Sequence, residues 1–182
     1  SIIDWEQWQE NQPGPHIWQD GSHLVTDYGG GESLYNPSRD LYSHFFRADP
    51  TLPVKVRILG PARIRVDVRP LHDPGTTEPL NGWLEIREKE NLYPFPLNNN
   101  LPAEGLRVVG DSPLLPGRNL SAVHLLGSGF HELEISTGDV SSLIRVFQQV
   151  PQLPLGVLPP LTPRTLVAAV APDPARTDGG GA

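Results

Sequence analysis

The stretch Val54 to Arg69, VKVRILGPARIRVDVR, restricts what this chain can fold into more than any other. Apolar side chains fall at Val54, Val56 and Ile58, then at Ile64, Val66 and Val68. Charged ones at Lys55, Arg57, Arg63, Arg65, Asp67 and Arg69 fill the intervals. A period of two sends one set to each face of an extended strand, the pattern of half-buried antiparallel strands. Gly60-Pro61 interrupts it, because proline cannot donate to a ladder, and predicts two strands, 54–58 and 63–69.

Similar runs predict strands at 83–87, 105–109, 122–126, 130–136 and 143–147, with short ones at 23–26 and 42–47. In the 130–136 run, His131, Leu133 and Ile135 oppose Phe130, Glu132 and Glu134. At most one short helix is expected, near 36–43. The expected fold is all-β, an antiparallel two-sheet sandwich of Ig-like or jelly-roll type. Its core should hold Val56, Ile58, Ile64, Val66, Leu84, Ile86, Leu133, Ile135, Ile144 and Val146. Composition agrees: 18 Gly and 21 Pro leave few windows long enough for a helix.

Three regions differ in character. Residues 1–50 hold eight of the chain's aromatics among turn residues, and read as a loop-rich arm packing on a sandwich that spans 51–150. Residues 151–182 read as an extended Pro-rich tail or linker, with Thr165 to Ala171, TLVAAVA, apolar enough to add an edge strand here or on a neighbour. A net charge of -7 argues against a nucleic-acid binder. With no cysteine, disulfides and thiolate metal sites are excluded. No apolar run reaches the ~20 residues of a membrane-spanning helix. The absence of Met, even at residue 1, suggests a chain processed or excised from something longer.

Chemistry-bearing motifs are sparse. Val108-Val109-Gly110-Asp111-Ser112 resembles the nucleophile block of the GDSL-type esterases, which would make Ser112 the nucleophile. That family's Asp-x-x-His pair has no counterpart after Ser112, so a polar turn is the better reading. Histidines 16, 23, 44, 72, 124 and 131 show no ligand spacing, and no metal or cofactor is expected. Glu85, Glu132 and Glu134 read as cross-strand partners of Lys55, Arg57, Arg63 and Arg65 rather than as a glycosidase pair.

The N-terminal aromatics are the most suggestive feature. Trp5, Trp8, Trp18, Tyr28 and Tyr35, with Arg39 beside them, form a speculative ligand site, because flat rings stack on sugars. The competing reading is that the three tryptophans anchor the arm. The chain is therefore expected to be a non-enzymatic module of a secreted or cell-envelope protein, bacterial in type. Its role would be structural assembly or protein–protein interaction, with identical subunits or another protein meeting the tail and sheet edge. Carbohydrate binding through the aromatics is the alternative, and an esterase using Ser112 the third.

Overall fold

The computed structural model describes residues 16–151. In chain order these form β1 (His16–Asp20), a 3-10 turn (Ser22–Leu24), β2 (Val25–Asp27), β3 (Gly30–Asn36), β4 (Leu41–Ala48) and β5 (Val54–His72). There follow β6 (Leu80–Glu88), β7 (Asn91–Asn100), β8 (Arg107–Val108), β9 (Leu115–Pro116), β10 (Leu120–Ser136) and β11 (Ser142–Pro151). The fold is all-β, and every strand pairing is antiparallel. The helix expected near 36–43 is instead a hairpin turn leading into β4, and among the described residues the single helical turn lies at 22–24. Within the span 1–50, the described residues supply β1 to β4.

The strand order is β7-β6-β10-β5-β11-β4-β3-β8, with β1 added on β11 and both β2 and β9 on β5. One hydrogen-bonded network therefore includes the whole β layer. The runs 54–58 and 63–69 are not separate strands but one, β5, which passes through a cis Gly60–Pro61 bond without leaving the sheet. The runs 122–126 and 130–136 likewise merge into β10, paired to β5 from Leu120↔Val68 to Ile135↔Val54. Such long strands serve both layers of a folded sheet, turning the corner at bends and bulges.

All ten expected core residues are buried. They belong to one apolar cluster that joins residues of both halves of β5 and β10 to Leu84, Ile86 and Leu97 on one side and Ile144 and Val146 on the other. Side chains can be shut off from water across a whole sheet face only if another layer covers them, and among the described residues no helix does so. The sheet folds over its own core. A smaller apolar cluster lies on the reverse face of β3, β4 and β11, where Leu34, Phe45, Leu71 and Leu143 receive Leu106, Val108 and Leu114 from the 101–118 segment. That segment is clamped by Asn100, whose Nδ2 donates to the Arg118 carbonyl at 3.0 Å while its Oδ1 meets His72 Nε2 at 2.9 Å.

Two ionisable groups tie stability to pH. The Asp49 carboxylate, which burial tends to raise, is held below its usual range because the Ser141 hydroxyl (2.6 Å) and the Arg47 guanidinium (2.8 Å) donate to it. Burial also pushes the His124 imidazole down, with Glu88 opposing and His131 reinforcing the effect. For both groups the unfolded chain takes up a proton more readily than the native one, so their stabilisation is complete above the ordinary pKa and is lost as pH falls through the lowered one. The melting temperature is expected to fall below about pH 6.5, and further below about pH 4. His124→Gln should flatten the first part of that decline and leave the second. A melting profile level between pH 7 and pH 5 in the unmodified chain would refute the His124 account.

Candidate functional site

The hairpin of β3 and β4, with Tyr28 just before it, brings two aromatic pairs together, and Tyr42 and Tyr28 are their exposed members. Its register runs from Gly30↔Arg47 to Asn36↔Leu41. The turn is built by Asn36, whose Oδ1 accepts from the Ser38 amide (3.1 Å) and hydroxyl (2.7 Å), and by Asp40 at φ 51, a conformation aspartate tolerates better than most residues. Leu34 and Phe45 point to the smaller core. Alternation then puts Gly31, Ser33 and Tyr35 on the other face, opposite Phe46, His44 and Tyr42.

That face forms a row of paired rings. At the hairpin tip Tyr35 and Tyr42 stack with centroids 4.7 Å apart, and Tyr42 is 60% exposed. Next comes Ser33 Oγ against His44 Nδ1 at 2.8 Å. At the base Tyr28, 41% exposed, lies 4.7 Å from Phe46, which is rooted against the main core. From Tyr42 to Phe46 the row is about 14 Å long on one strand. Tyr35 Oη donates to Asp40 Oδ1 at 3.0 Å; this bond raises the phenol's pKa, and Arg107 on the neighbouring strand pulls the other way. Arg39 stands exposed in the turn beside them. The face thus offers flat rings beside a hydroxyl, an imidazole and a carboxylate.

Of the expected ligand residues, the structure gathers Tyr28, Tyr35 and Arg39 on this hairpin and its flank. Trp5 and Trp8 lie outside the described residues. Trp18 is not gathered with them. Its strand pairs with β11, Trp18↔Gln149, so its ring falls on the reverse face, where Arg65 lies 5.4 Å from it and 4.2 Å from Phe147. Arg145 continues this ladder from Phe147 (4.8 Å) to Phe45 (5.6 Å). Each such cation–π contact contributes roughly 0.5–2 kcal/mol.

The charged strand residues divide between two faces. Arg57 pairs with Glu132 at 3.1 Å as expected, and Glu134 stands opposite Lys55 and Arg87. Arg65 instead pairs with Asp67 at 3.0 Å on the other half of β5. Sequence reasoning missed Trp83, which is 52% exposed. The signal was present: with Leu84 and Ile86 inward, Trp83 must stand on the wet face with Glu85 and Arg87. Ser112 sits in a loop where its Oγ accepts from the Leu114 amide at 3.3 Å, an arrangement typical of a turn serine. Among the described residues no three His, Asp or Glu side chains converge to hold a metal ion.

No family model matches the sequence, and no curated protein matches it. Solved structures similar to it include the Agl-KA catalytic domain (TM-score 0.43, 13% identity, covering 82% of this chain and 30% of that one). A catalytic domain of a GH87 alpha-1,3-glucanase in complex with tetrasaccharides scores 0.44, at 13% identity over 82% of this chain and 30% of that one. The CBM22-1 and GH10 modules of a Clostridium thermocellum endo-1,4-beta-D-xylanase, complexed with xylohexaose, score 0.31 at 12% identity, over 80% of this chain and 30% of that one. The chain thus spans about 30% of the length of these structures.

Proposed function

We propose that this chain is a non-enzymatic binding module whose open β3–β4 face takes a saccharide chain. The observation that carries the reading is the row Tyr35–Tyr42, Ser33–His44, Tyr28–Phe46, in which Tyr42, His44 and Tyr28 are exposed and their partners half-buried. Sugar rings present C–H faces that stack on such rings, while their hydroxyls need donors and acceptors beside them. Asp40, His44 and Arg39 provide both kinds. A module of this sort belongs outside the cytoplasm, on a cell surface or in an envelope, where polysaccharide is met. Assembly is the second reading, favoured by the mixed-charge outer face around Trp83.

The test is retention of the chain by immobilised or soluble polysaccharides in affinity electrophoresis, followed by a glycan array. Tyr42→Ala is expected to weaken binding at least about tenfold, since an aromatic stacking contact is worth on the order of 1–3 kcal/mol. Because the ring is mostly exposed, the melting temperature should hardly move. Absence of any glycan signal from the folded chain would sink the proposal, and so would undiminished binding by Tyr42→Ala.

A further inference from the structure

The segment that closes the smaller core also brings a charge to the ring row. Leu106 and Val108 are packed into that cluster, so the residue between them points to the opposite face of the sheet. That residue is Arg107. The register agrees: β8 pairs with β3 through Leu34↔Val108 and Tyr35↔Arg107, and beyond it the Val109 amide donates to the Ser33 carbonyl at 2.9 Å. Tyr35 is in turn the partner of Tyr42. Tyr42, Tyr35 and Arg107 therefore form one row across three strands. From first to last it spans two strand spacings, about 10 Å.

Charge on this face is uneven. The chain has 21 acidic residues against 14 basic ones, yet no acidic residue falls at a strand position on this side of β3, β4 or β8. Glu32 lies on the reverse side, 3.9 Å from Arg47. Asp40, in the turn, is engaged by the Tyr35 hydroxyl at 3.0 Å. That bond raises the pKa of the phenol, and Arg107 is close enough to pull it the other way. Arg107 is exposed, and among the described residues it enters no ion pair. The Tyr35 hydroxyl proton is already given to Asp40, so the guanidinium is the open donor group at this end of the row.

We infer that the saccharide taken by this face is acidic, a uronic acid chain whose carboxylate pairs with Arg107 while a sugar ring lies on Tyr42. The inference rests on the saccharide reading of the same row. A guanidinium is a planar fork of N–H donors that meets a carboxylate through two parallel hydrogen bonds. Such charge-assisted bonds are roughly twice as strong as neutral ones, whereas a sugar hydroxyl can engage only part of the fork. The geometry suits the pairing. In a uronic acid the carboxylate is a substituent at the edge of the ring. A ring stacked flat on Tyr42 therefore directs it along the sheet surface, across Tyr35, toward β8. Arg107 is fixed there because its two neighbours are held in the smaller core.

Affinity electrophoresis of the full chain through polygalacturonate and alginate, each beside its esterified form, tests the inference. Esterification keeps the sugar backbone and removes the charge. At least one acid form should be retained at least tenfold more strongly than its ester, and added salt should narrow the difference. Arg107→Gln should lower that preference at least tenfold with little change in melting temperature. Arg107→Lys, which keeps the charge and loses the fork, should fall between. Tyr42→Ala should weaken retention of acid and ester alike. Equal retention of acid and ester would overturn the inference, and so would an acid preference that survives Arg107→Gln. Retention of neutral glycans alone would overturn it too, while leaving the saccharide reading standing. Retention of no polysaccharide at all would overturn that reading, and this inference with it.

Discussion

Gly60→Ala is expected to destabilise the protein by at least about 3 kcal/mol, among the largest effects of any single methyl group added to this chain. A Cβ at residue 60 would collide with the backbone carbonyl of Gly127 and would stand 3.2 Å from His131 Nε2. The obstacle is main chain on a paired strand, not the end of a flexible side chain. It cannot yield without opening the β5–β10 ladder at its corner. The same carbonyl accepts from His131 Nε2 at 2.8 Å, and His131 Nδ1 meets Glu88 Oε2 at 2.7 Å, so the displaced carbonyl would disturb a contact reaching β6. Gly127→Ala is the control. Its Cβ meets nothing within 4 Å, and it should cost no more than about 1 kcal/mol. Thermal or denaturant unfolding compares the two, the first expected to melt on the order of 10 °C lower. Equal melting temperatures would refute the close approach of Gly60 to Gly127 at the corner.

The corner also marks where sequence reasoning reached its limit. Alternation identified the buried side of β5, β6, β10 and β11 residue by residue, because a one-sided core leaves a period of two in the sequence. It could not show that Gly60-Pro61 lies within a strand, since a bend inside a ladder and a loop between strands use the same residues. β7 was hidden by Pro94 and Pro96, which are tolerated because that strand lies at an edge. β3 was hidden by Gly29, Gly30 and Gly31, which read as a turn. For the site, Tyr28, Tyr35 and Arg39 stood out by composition. That Tyr42 joins Tyr35 follows only from the hairpin register around Asn36↔Leu41. The position of Trp18 depended on β1 pairing with β11, at the far end of the described chain, and no local pattern encodes that partner. Trp83 was legible in its alternation with Leu84 and Ile86, but the N-terminal aromatics drew the weight.

Deleting Ser128 is expected to abolish the cooperative unfolding transition altogether. Along β10 the inward residues are Ala122, His124 and Leu126 before the corner and Leu133 and Ile135 after it, so the parity changes from even to odd. The register shows why. Leu126 pairs with Ala62, but Gly129 pairs with Gly60, so β10 spends one more residue than β5 in rounding the bend. This is a β-bulge, and Gly129 at φ 105 lies within it. β5 has no such insertion and keeps even residues inward throughout. Removing Ser128 takes out the extra residue. Either Leu133 and Ile135 turn to water while Glu132 and Glu134 enter the core, or the β5–β10 ladder breaks on one side of the corner. Losing two buried aliphatic side chains costs roughly 1.5–3 kcal/mol each, and burying a carboxylate without a partner costs more. Together these equal or exceed the 5–15 kcal/mol that typically holds a domain folded. Shortening the exposed 73–79 loop by one residue is the matched control, and should change stability by less than about 1 kcal/mol, because loop-closure entropy varies slowly with length. Circular dichroism and urea unfolding of the two deletions decide the matter. A Ser128 deletion that unfolds with the same midpoint as the loop deletion would mean that the bulge does not set the register of β10.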